Sequence, residues 1–232
     1  MKEERKTKLW FFEQFDLLRE MPEKIMDLLG EHSVLRASSK REPIYLQNEA
    51  SNAIYFCKKG RIKISKTSSD GKETTLYVVQ PGEIFGELSL IDDGFRTHRA
   101  EALDNDVMIC SFDKQRFQQI LDDHPELNRQ IYKRIGIRLR KIEQKLSDLI
   151  FMTAEDRIIN FLAEIGERHL KPSVDEAYIK PFFTHEEIAH LTATSRQTVT
   201  TVLNELKQEG LIKFSRNKMY IVHYSKLKEK LG

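Results

Sequence analysis

The segment from Thr184 to Leu206 constrains the fold more than any other part of the chain, because it carries two short helical patterns joined by a tight turn. Thr184, followed three residues later by Glu187, has the spacing of a capping box, which starts a helix. Residues 192–194 form the connection, and Ser195 is placed to cap the second helix. The apolar residues of the two helices fall at helical spacing: Ile188, Ala189, Leu191, Val199, Val202, Leu203 and Leu206.

The second helix leaves a cluster of polar side chains outside its apolar face. Two short helices with such a turn match the helix-turn-helix, whose second helix enters the major groove of DNA by its N-terminal end. Arginine can bond to guanine and glutamine to adenine, while serine and threonine hydroxyls can hold a phosphate. The predicted DNA contacts are therefore Ser195, Arg196, Gln197, Thr198 and Thr201. An ordinary pair of packed helices is the alternative.

A short hairpin follows the second helix. Residues 211–214 and 219–222 have the composition of two strands, and the turn between them, residues 215–218, is basic. This predicts a wing. The net charge of the whole chain is only +2, but residues 125–232 hold 19 Lys and Arg against 14 Asp and Glu. That excess permits phosphate contacts without predicting them alone.

Residues 42–113 change period and consist of short strands separated by Gly and Asp turns, which is typical of a small antiparallel roll or sandwich. Cys57 and Cys110 lie in apolar runs and are predicted to be buried. A metal-dependent, cupin-like enzyme would need a cluster of ligands on these strands, and His98 is their one histidine. No nucleophile–base motif stands out, so we predict that the chain is not an enzyme.

A single long helix is predicted from Pro125 to about Phe151. Its apolar residues recur every three or four positions for more than three heptads, at Leu127, Ile131, Ile135, Leu139, Ile142, Leu146 and Leu149. A helix of this length spans roughly 40 Å, more than a small roll can cover. We therefore expect a dimer contact rather than a helix that lies only on its own domain. Thr153 and Asp156 predict a new helix after a break at residues 151–152, and residues 169–181 form a looser stretch.

A candidate ligand site lies in the roll. A Gly-led turn at residues 82–87 would offer backbone N–H groups to an anion, and Arg96 could add a charged hydrogen bond. Glu87 could accept from a sugar hydroxyl. The alternative is a structural ion pair between Glu87 and Arg96.

The run from Ala193 to Val199, followed by Leu203, Leu206 and Gly210-Leu-Ile, resembles the recognition segment of the cyclic-AMP receptor/FNR family of bacterial regulators. The resemblance covers nearly the whole chain and implies an α+β fold in three parts. These are a cyclic-nucleotide-binding-type β-roll over residues 1–124, a dimerisation helix and hinge over 125–152, and a winged helix-turn-helix over 153–232. Arg196, Gln197 and Thr201 fall at the base-reading positions, where the best-known member has Glu and Arg in place of Gln197 and Thr201.

The same resemblance implies an effector pocket similar to the phosphate-binding cassette of cyclic-nucleotide-binding domains. The residues that match are Gly86, Glu87, Leu88, Ser89, Arg96 and Thr97. Ile142 and Glu143 align with the hydroxyl side chains that contact adenine in cyclic-AMP-responsive members. A cyclic nucleotide is therefore one candidate effector, and a different effector or none is the alternative. The absence of an N-terminal cysteine cluster argues against oxygen sensing of the FNR type.

Together these patterns predict a ligand-responsive, sequence-specific transcription regulator. We expect a homodimer that binds a pseudo-palindromic operator in double-stranded DNA and contacts RNA polymerase. The first eight residues are charged and lead into no apolar signal core, and no run of about eighteen apolar residues occurs. A cytoplasmic protein without a membrane span is expected. A scaffold module is the remaining alternative, but it would leave Arg196, Gln197 and the wing unexplained.

Overall fold

The computed structural model describes residues 21–91, 94–171, 173–215 and 217–231. The sequence is amphipathic from Trp10 to Leu29, and residues 10–20 of this stretch lie outside the described residues. Internal contacts divide the chain into two compact units, of which the first ends at Leu139 and the second begins at Arg140. Each unit is described by itself below. No helix among the described residues is long and apolar enough to span a membrane.

The first unit is an antiparallel roll of two four-stranded sheets, as the sequence predicted. Helix α1 (Glu23–His32) precedes the strands. The sheet orders are β1-β8-β3-β6 and β2-β7-β4-β5. The strands are β1 (Ser33–Ser38), β2 (Pro43–Tyr45), β3 (Ala53–Lys59), β4 (Ile62–Thr67), β5 (Glu73–Val79), β6 (Ile84–Phe85), β7 (Arg99–Ala102) and β8 (Val107–Asp113). A short 3-10 helix (Glu87–Leu90) follows β6.

The first strand begins earlier than the sequence indicated. We expected strand periodicity from residue 42, but β1 starts at Ser33 and pairs antiparallel with β8, from Ser33 opposite Phe112 to Ser38 opposite Val107. Ser33 and Ser38 are buried, whereas Val34 is 66% exposed. Because β1 lies at the edge of its sheet and buries its polar ends, the usual alternation of apolar and polar residues is missing.

Two apolar clusters form the core of the roll, and each contains one of the two cysteines. Cys110 packs with Phe56, Phe112 and Phe117, on the side of the sheet covered by the helices. Cys57 packs between the two sheets. Both thiols are fully buried and no disulfide joins them, which confirms the prediction that they are buried.

Two helices follow the roll, α2 (Lys114–Asp123) and α3 (Pro125–Phe151). The bounds of α3 are those predicted. Its stripe of apolar residues from Leu127 to Leu149, called the seam below, is buried at its start and exposed in the rest. Leu127 and Ile131 are buried in the first core cluster, and Ile135 packs against it. The seam then becomes exposed: Leu139, Ile142, Leu146 and Leu149 have exposed fractions of 56, 49, 56 and 48%. The start of α3 therefore does lie on its own roll, and the rest of the seam offers an apolar surface.

The second unit contains the predicted pair of helices and the wing. Its elements after α3 are α4 (Ala154–Glu167), β9 (Ala177–Ile179), α5 (His185–Thr192), α6 (Arg196–Gln208), β10 (Ile212–Ser215), β11 (Lys218–Ile221) and α7 (Tyr224–Glu229). The stretch we expected to be loose contains β9, which adds to the wing as a third strand in the order β10-β11-β9. With three residues, β9 is too short for its period to show in the sequence.

Helix α4 packs directly against the wing and α7 through a glycine. A Cβ atom at Gly166 would lie 2.6 Å from Cδ1 of Ile221 and 3.2 Å from the ring of Tyr224. Contacts this close are available only to a residue without a side chain.

Candidate functional site

The capping box at the start of α5 forms as the sequence predicted. The Thr184 hydroxyl accepts from the backbone N–H of Glu187 at 3.2 Å, and the Glu187 carboxylate accepts from the N–H of Thr184 at 2.7 Å. At the start of α6 the Ser195 hydroxyl accepts from the N–H of Thr198 at 3.0 Å. Both helices therefore begin at the residues chosen from the sequence, and their first turns are fixed by side chains.

The turn between α5 and α6 is held by an arginine that the sequence analysis missed. Arg157 of α4 donates from Nε to the carbonyl of Thr192 at 2.9 Å and from Nη2 to that of Ala193 at 3.1 Å. Its Nη1 donates to the carbonyl of Met152 at 2.9 Å. Ala193 has φ 50° and ψ 50°, in the left-handed region that costs an L-residue roughly 1–2 kcal/mol. The guanidinium thus stabilises a turn of strained backbone.

The polar side chains predicted to contact DNA lie in the first two turns of α6, outside its buried face. Arg196, Gln197 and Thr201 are exposed, and Thr198 is half-buried with its hydroxyl 2.8 Å from that of Ser195. The opposite side of the helix is buried through Val199, Val202, Leu203 and Leu206. The structure therefore places the predicted residues together and leaves the base-reading candidates accessible.

His185 connects the two helices to the wing, a role that no sequence pattern indicated. Its Nδ1 lies 2.9 Å from the hydroxyl of Thr200, which also donates to the carbonyl of Arg196 at 2.9 Å. The His185 ring packs edge-on against Phe214 of β10. Burial lowers the pKa of His185, and the positive charge of Arg196 lowers it further.

The wing has the predicted hairpin form. Strands β10 and β11 pair from Ile212 opposite Ile221 to Ser215 opposite Lys218. Arg216, part of the predicted basic tip, lies outside the described residues. Lys207 of α6 reaches toward the wing, with Nζ 5.4 Å from the centre of the Phe214 ring.

A pocket of about 110 Å³ opens in the roll at the place the sequence indicated. It is lined by Gly86, Glu87, Leu88, Arg96 and Thr97, together with Tyr45, Ser51, Tyr77, Ile91, Phe95 and His98. Gly86 has φ 73°, and a Cβ there would lie 2.9 Å from Nη1 of Arg96 and 3.0 Å from the ring of Tyr55. A side chain at this position would collide with the Arg96 guanidinium and the Tyr55 ring, and the positive φ also favours glycine.

Ser89 behaves differently from the other predicted effector residues. It is fully buried, and its hydroxyl donates to the carbonyl of Gly86 at 2.9 Å. It holds the turn and is not among the residues that line the pocket.

Arg96 forms the basic wall of the pocket and is almost completely buried, with 5% of its surface exposed. Its Nη1 donates to the carbonyl of Gly86 at 3.1 Å, and its Nη2 donates to the carbonyl of Ala53. The guanidinium carbon lies 4.4 Å from the centre of the Tyr45 ring, a cation–π contact. Arg96 is thus held in place by the roll itself.

Glu87 pairs with Arg138 of α3, and not with Arg96 as the structural alternative supposed. Nη1 of Arg138 lies 2.6 Å from Oε1 of Glu87, and its Nη2 donates to the carbonyl of Ile84 at 2.6 Å. The same guanidinium lies over the ring of Tyr77, 4.9 Å from its centre. Burial opposes the charge on Arg138, but the Glu87 carboxylate outweighs it, so the pKa of Arg138 lies above its ordinary value.

The second carboxylate oxygen of Glu87 is the chemically unusual atom of this pocket. Oε2 is buried and has no hydrogen-bond partner among the described residues. A buried acceptor without a partner costs roughly 1–3 kcal/mol, which a donor from a ligand would recover. The described part of the chain contains no cluster of His, Cys, Asp and Glu that could hold a metal ion.

Two family models match the chain, each over one of the regions described above. Residues 35–124 match the cyclic nucleotide-binding domain, and residues 156–230 match the Crp-like helix-turn-helix domain. Helices α1 and α3 lie outside both matches, and the first two residues of β1 and of α4 precede them. The matches therefore include the roll with its pocket and the helix pair with its wing.

Several known regulators are similar along most of their length. A CRP-like cAMP-activated global transcriptional regulator of Mycobacterium tuberculosis is 29% identical over 77% of this chain and 79% of its own. The cyclic AMP receptor protein of Thermus thermophilus is 29% identical over 83% of this chain and 85% of its own. The crystal structure of a CRP-family transcriptional regulator from the same organism superposes with a TM-score of 0.68 at 25% identity, covering 85% of this chain and 96% of that one.

The matched domains are of the same type as the roll and the winged helix-turn-helix, occur in the same order along the chain and cover most of the same residues. The relatives are transcription regulators and not enzymes, as expected for this chain. The chain is a member of the Crp/Fnr family of ligand-responsive, DNA-binding transcription regulators.

Proposed function

We propose that this regulator binds a pseudo-palindromic operator as a homodimer, with α6 of each protomer in the major groove. The observation that carries the proposal is the exposure of Arg196 and Gln197 in the first turn of a helix whose other side is buried. The Ser195 cap and the Arg157 contacts fix the orientation of that turn. Recognition helices in such dimers lie about 34 Å apart, which corresponds to one turn of B-DNA.

The exposed part of the α3 seam is the proposed dimer contact. Leu139, Ile142, Leu146 and Leu149 recur at the spacing of a coiled coil and are each about half exposed. Exposed apolar side chains in a continuous stripe mark a protein–protein contact more often than a solvated surface. We retain the division into a sensing domain over 1–124, a dimerisation helix and hinge over 125–152, and a DNA-binding domain over 153–232.

The roll pocket is the proposed effector site. The unpartnered Oε2 of Glu87 fits a hydroxyl donor, and the pocket that it shares with the turn at Gly86 and with Arg96 could admit an anion. Thr97 and Arg96 line the same pocket. These groups match a sugar hydroxyl and a phosphate, so a cyclic nucleotide is the leading candidate. Glu87, Arg96 and Thr97 would contact it, while the Ser89 hydroxyl would hold the turn.

A second candidate, a regulator with a different effector or none, is favoured by one specific observation. Glu87 is already paired with Arg138, and Arg96 already donates to two backbone carbonyls. One oxygen of Glu87 and the Arg96 guanidinium thus already have partners within the chain. A ligand can shift the regulator only through a difference in its affinity for two states, so it would have to compete with these contacts. Competition for Glu87 would act on Arg138, and so on the helix that carries the dimer seam.

Calorimetric titration with cyclic AMP and cyclic GMP tests the effector assignment. Saturable heat with either nucleotide, lost in Arg96→Ala and in Thr97→Ala, would establish the pocket. Thr97→Ala is included as a second variant because Thr97 is exposed, so that removing its side chain disturbs the fold less than removing the buried Arg96. An absence of heat with both nucleotides would favour the second candidate.

Operator binding is tested separately from the effector. Arg196→Ala should weaken binding to a selected DNA duplex while Arg168→Ala, an exposed arginine of the same unit, should not. Equal affinity of wild type and Arg196→Ala would contradict the assignment. We also propose that the bound regulator contacts RNA polymerase, which stimulation of transcription from an operator-bearing promoter in a purified system would test; inhibition would identify a repressor.

A further inference from the structure

The outward face of α6 carries a stripe of uncharged polar side chains that extends further along the helix than the predicted DNA contacts do. Gln197, Thr201, Asn204 and Gln208 recur every four or three residues and are all exposed. At 100° per residue they fall within roughly 60° of one another around the helix. The stripe lies opposite the buried face of Val199, Val202, Leu203 and Leu206.

The neighbouring charges lie at the edges of this stripe. Lys207 on one flank is drawn toward Phe214 of the wing, and Arg196 lies at the start of the helix on the same side. Glu205 lies on the other flank. The four stripe residues therefore form a surface without a carboxylate or a guanidinium between them.

Resting on the proposed function, we infer that this stripe recognises A·T base pairs and that Asn204 is a third base-contacting residue besides Gln197 and Thr201. Glutamine and asparagine amides can bond to both N6 and N7 of adenine, and the threonine methyl can contact the thymine methyl. Guanine is contacted best by arginine or lysine and cytosine by a carboxylate, which the stripe lacks. Arg196, beside the stripe, remains the one residue of this set suited to guanine.

The length of the helix decides which stripe residues reach the bases. At 1.5 Å per residue, Gln197 and Asn204 lie about 10 Å apart along the helix axis. A recognition helix enters the major groove by its N-terminal end, so Gln197 lies deepest and Asn204 is the last stripe residue expected to approach a base edge. Gln208 lies about 16 Å from Gln197 along the helix axis and is expected to face the DNA backbone instead.

The test is selection of DNA duplexes, randomised over two half-sites, by the full-length protein without nucleotide and with cyclic AMP. We expect each enriched half-site to contain one G·C pair next to a run of A·T pairs. Asn204→Ala should lose discrimination at one A·T position by roughly 5- to 100-fold. Gln197→Glu should change the preferred base at another position from adenine to cytosine. Gln208→Ala, the matched control, should select the same sequence as wild type.

The outcomes separate this inference from the proposal beneath it. The two variants identify the base pairs that Gln197 and Asn204 contact. If those pairs are G·C in the half-site that the wild type enriches, the inference is overturned and operator binding still stands. An unchanged preference in both variants would also overturn it. Enrichment of no sequence by the wild type in either condition would overturn the proposed function itself.

Discussion

Arg138 holds Glu87 in a buried ion pair across 51 residues of sequence, with Nη1 and Oε1 only 2.6 Å apart. The Glu87 side chain is 6% exposed and that of Arg138 is 21% exposed. The pair joins the turn at the proposed effector pocket to α3, and removal of either partner would leave the other charge buried alone, which is costly. The proposed dimer seam begins at the next residue, Leu139.

We predict that Arg138→Ala lowers the free energy of unfolding by about 3 kcal/mol, since it leaves the Glu87 carboxylate buried without a partner. Urea denaturation measures this. The control is the double variant Arg138→Ala/Glu87→Gln, which should lose less than Arg138→Ala alone because the unpaired charge is gone. A change below about 0.5 kcal/mol in the single variant would show that the pair contributes little.

Arg157 provides a second prediction. Arg157→Lys keeps the positive charge but cannot donate to three carbonyls in the planar geometry of a guanidinium. We expect the turn at Ala193 to loosen and operator affinity to fall about tenfold, equivalent to the loss of roughly one hydrogen bond to a charged group. Fluorescence anisotropy with a labelled operator measures it. Arg168→Lys near the other end of α4 should bind like the wild type, and a loss of the same size there would refute a specific role for Arg157.

The dimer seam predicts a change of oligomeric state. Leu146→Glu places a charge in the centre of the exposed apolar stripe and should convert the dimer to a monomer in sedimentation velocity, because burying an unpaired carboxylate costs more than the contact gains. Arg140→Glu changes the charge of the same helix on the side away from the seam and should remain dimeric. A dimeric Leu146→Glu variant would require another interface.

Acidification provides the fourth prediction, through His185. Its pKa is lowered by burial first and by Arg196 second, below the ordinary value of 6.5. The folded chain has the lowered pKa and the unfolded chain has the ordinary one. At a pH between the two, the unfolded chain binds a proton that the folded chain does not. The stability is therefore fully present above about pH 6.5 and falls as the pH drops below it. Urea denaturation at neutral pH and at about pH 5.5 should show this loss, and His185→Gln should reduce it. His98, whose pKa is also lowered by burial, should act in the same direction. An unchanged loss in His185→Gln would assign the effect elsewhere.

Local signals in the sequence predicted the parts of the fold that local contacts decide. The capping boxes at Thr153 and Thr184 depend on side chains three residues away, so both helix starts were predictable. The strands β1 and β9 depend on pairing with distant strands and carry no period of their own, so they were missed.

The functional side chains divide in the same way. The exposed residues of α6 follow from helical periodicity, and Glu87 and Arg96 from the spacing of a motif. Arg138 and Arg157 lie on charged helices where nothing local distinguishes them from neighbouring arginines. Their acceptors, at Glu87 and at Thr192, are brought near only by the tertiary fold.

The contact at Gly166 has a consequence for the wing. Because the Ile221 side chain and the Tyr224 ring pack on the main chain of α4 at Gly166, the middle strand of the wing sheet reaches the helix through side chains of its own side only. A single methyl group at this position would have to displace the end of the Ile221 side chain and would press against the Tyr224 ring. The packing of the wing on α4 therefore depends on a residue that carries no charge and makes no polar side-chain contact.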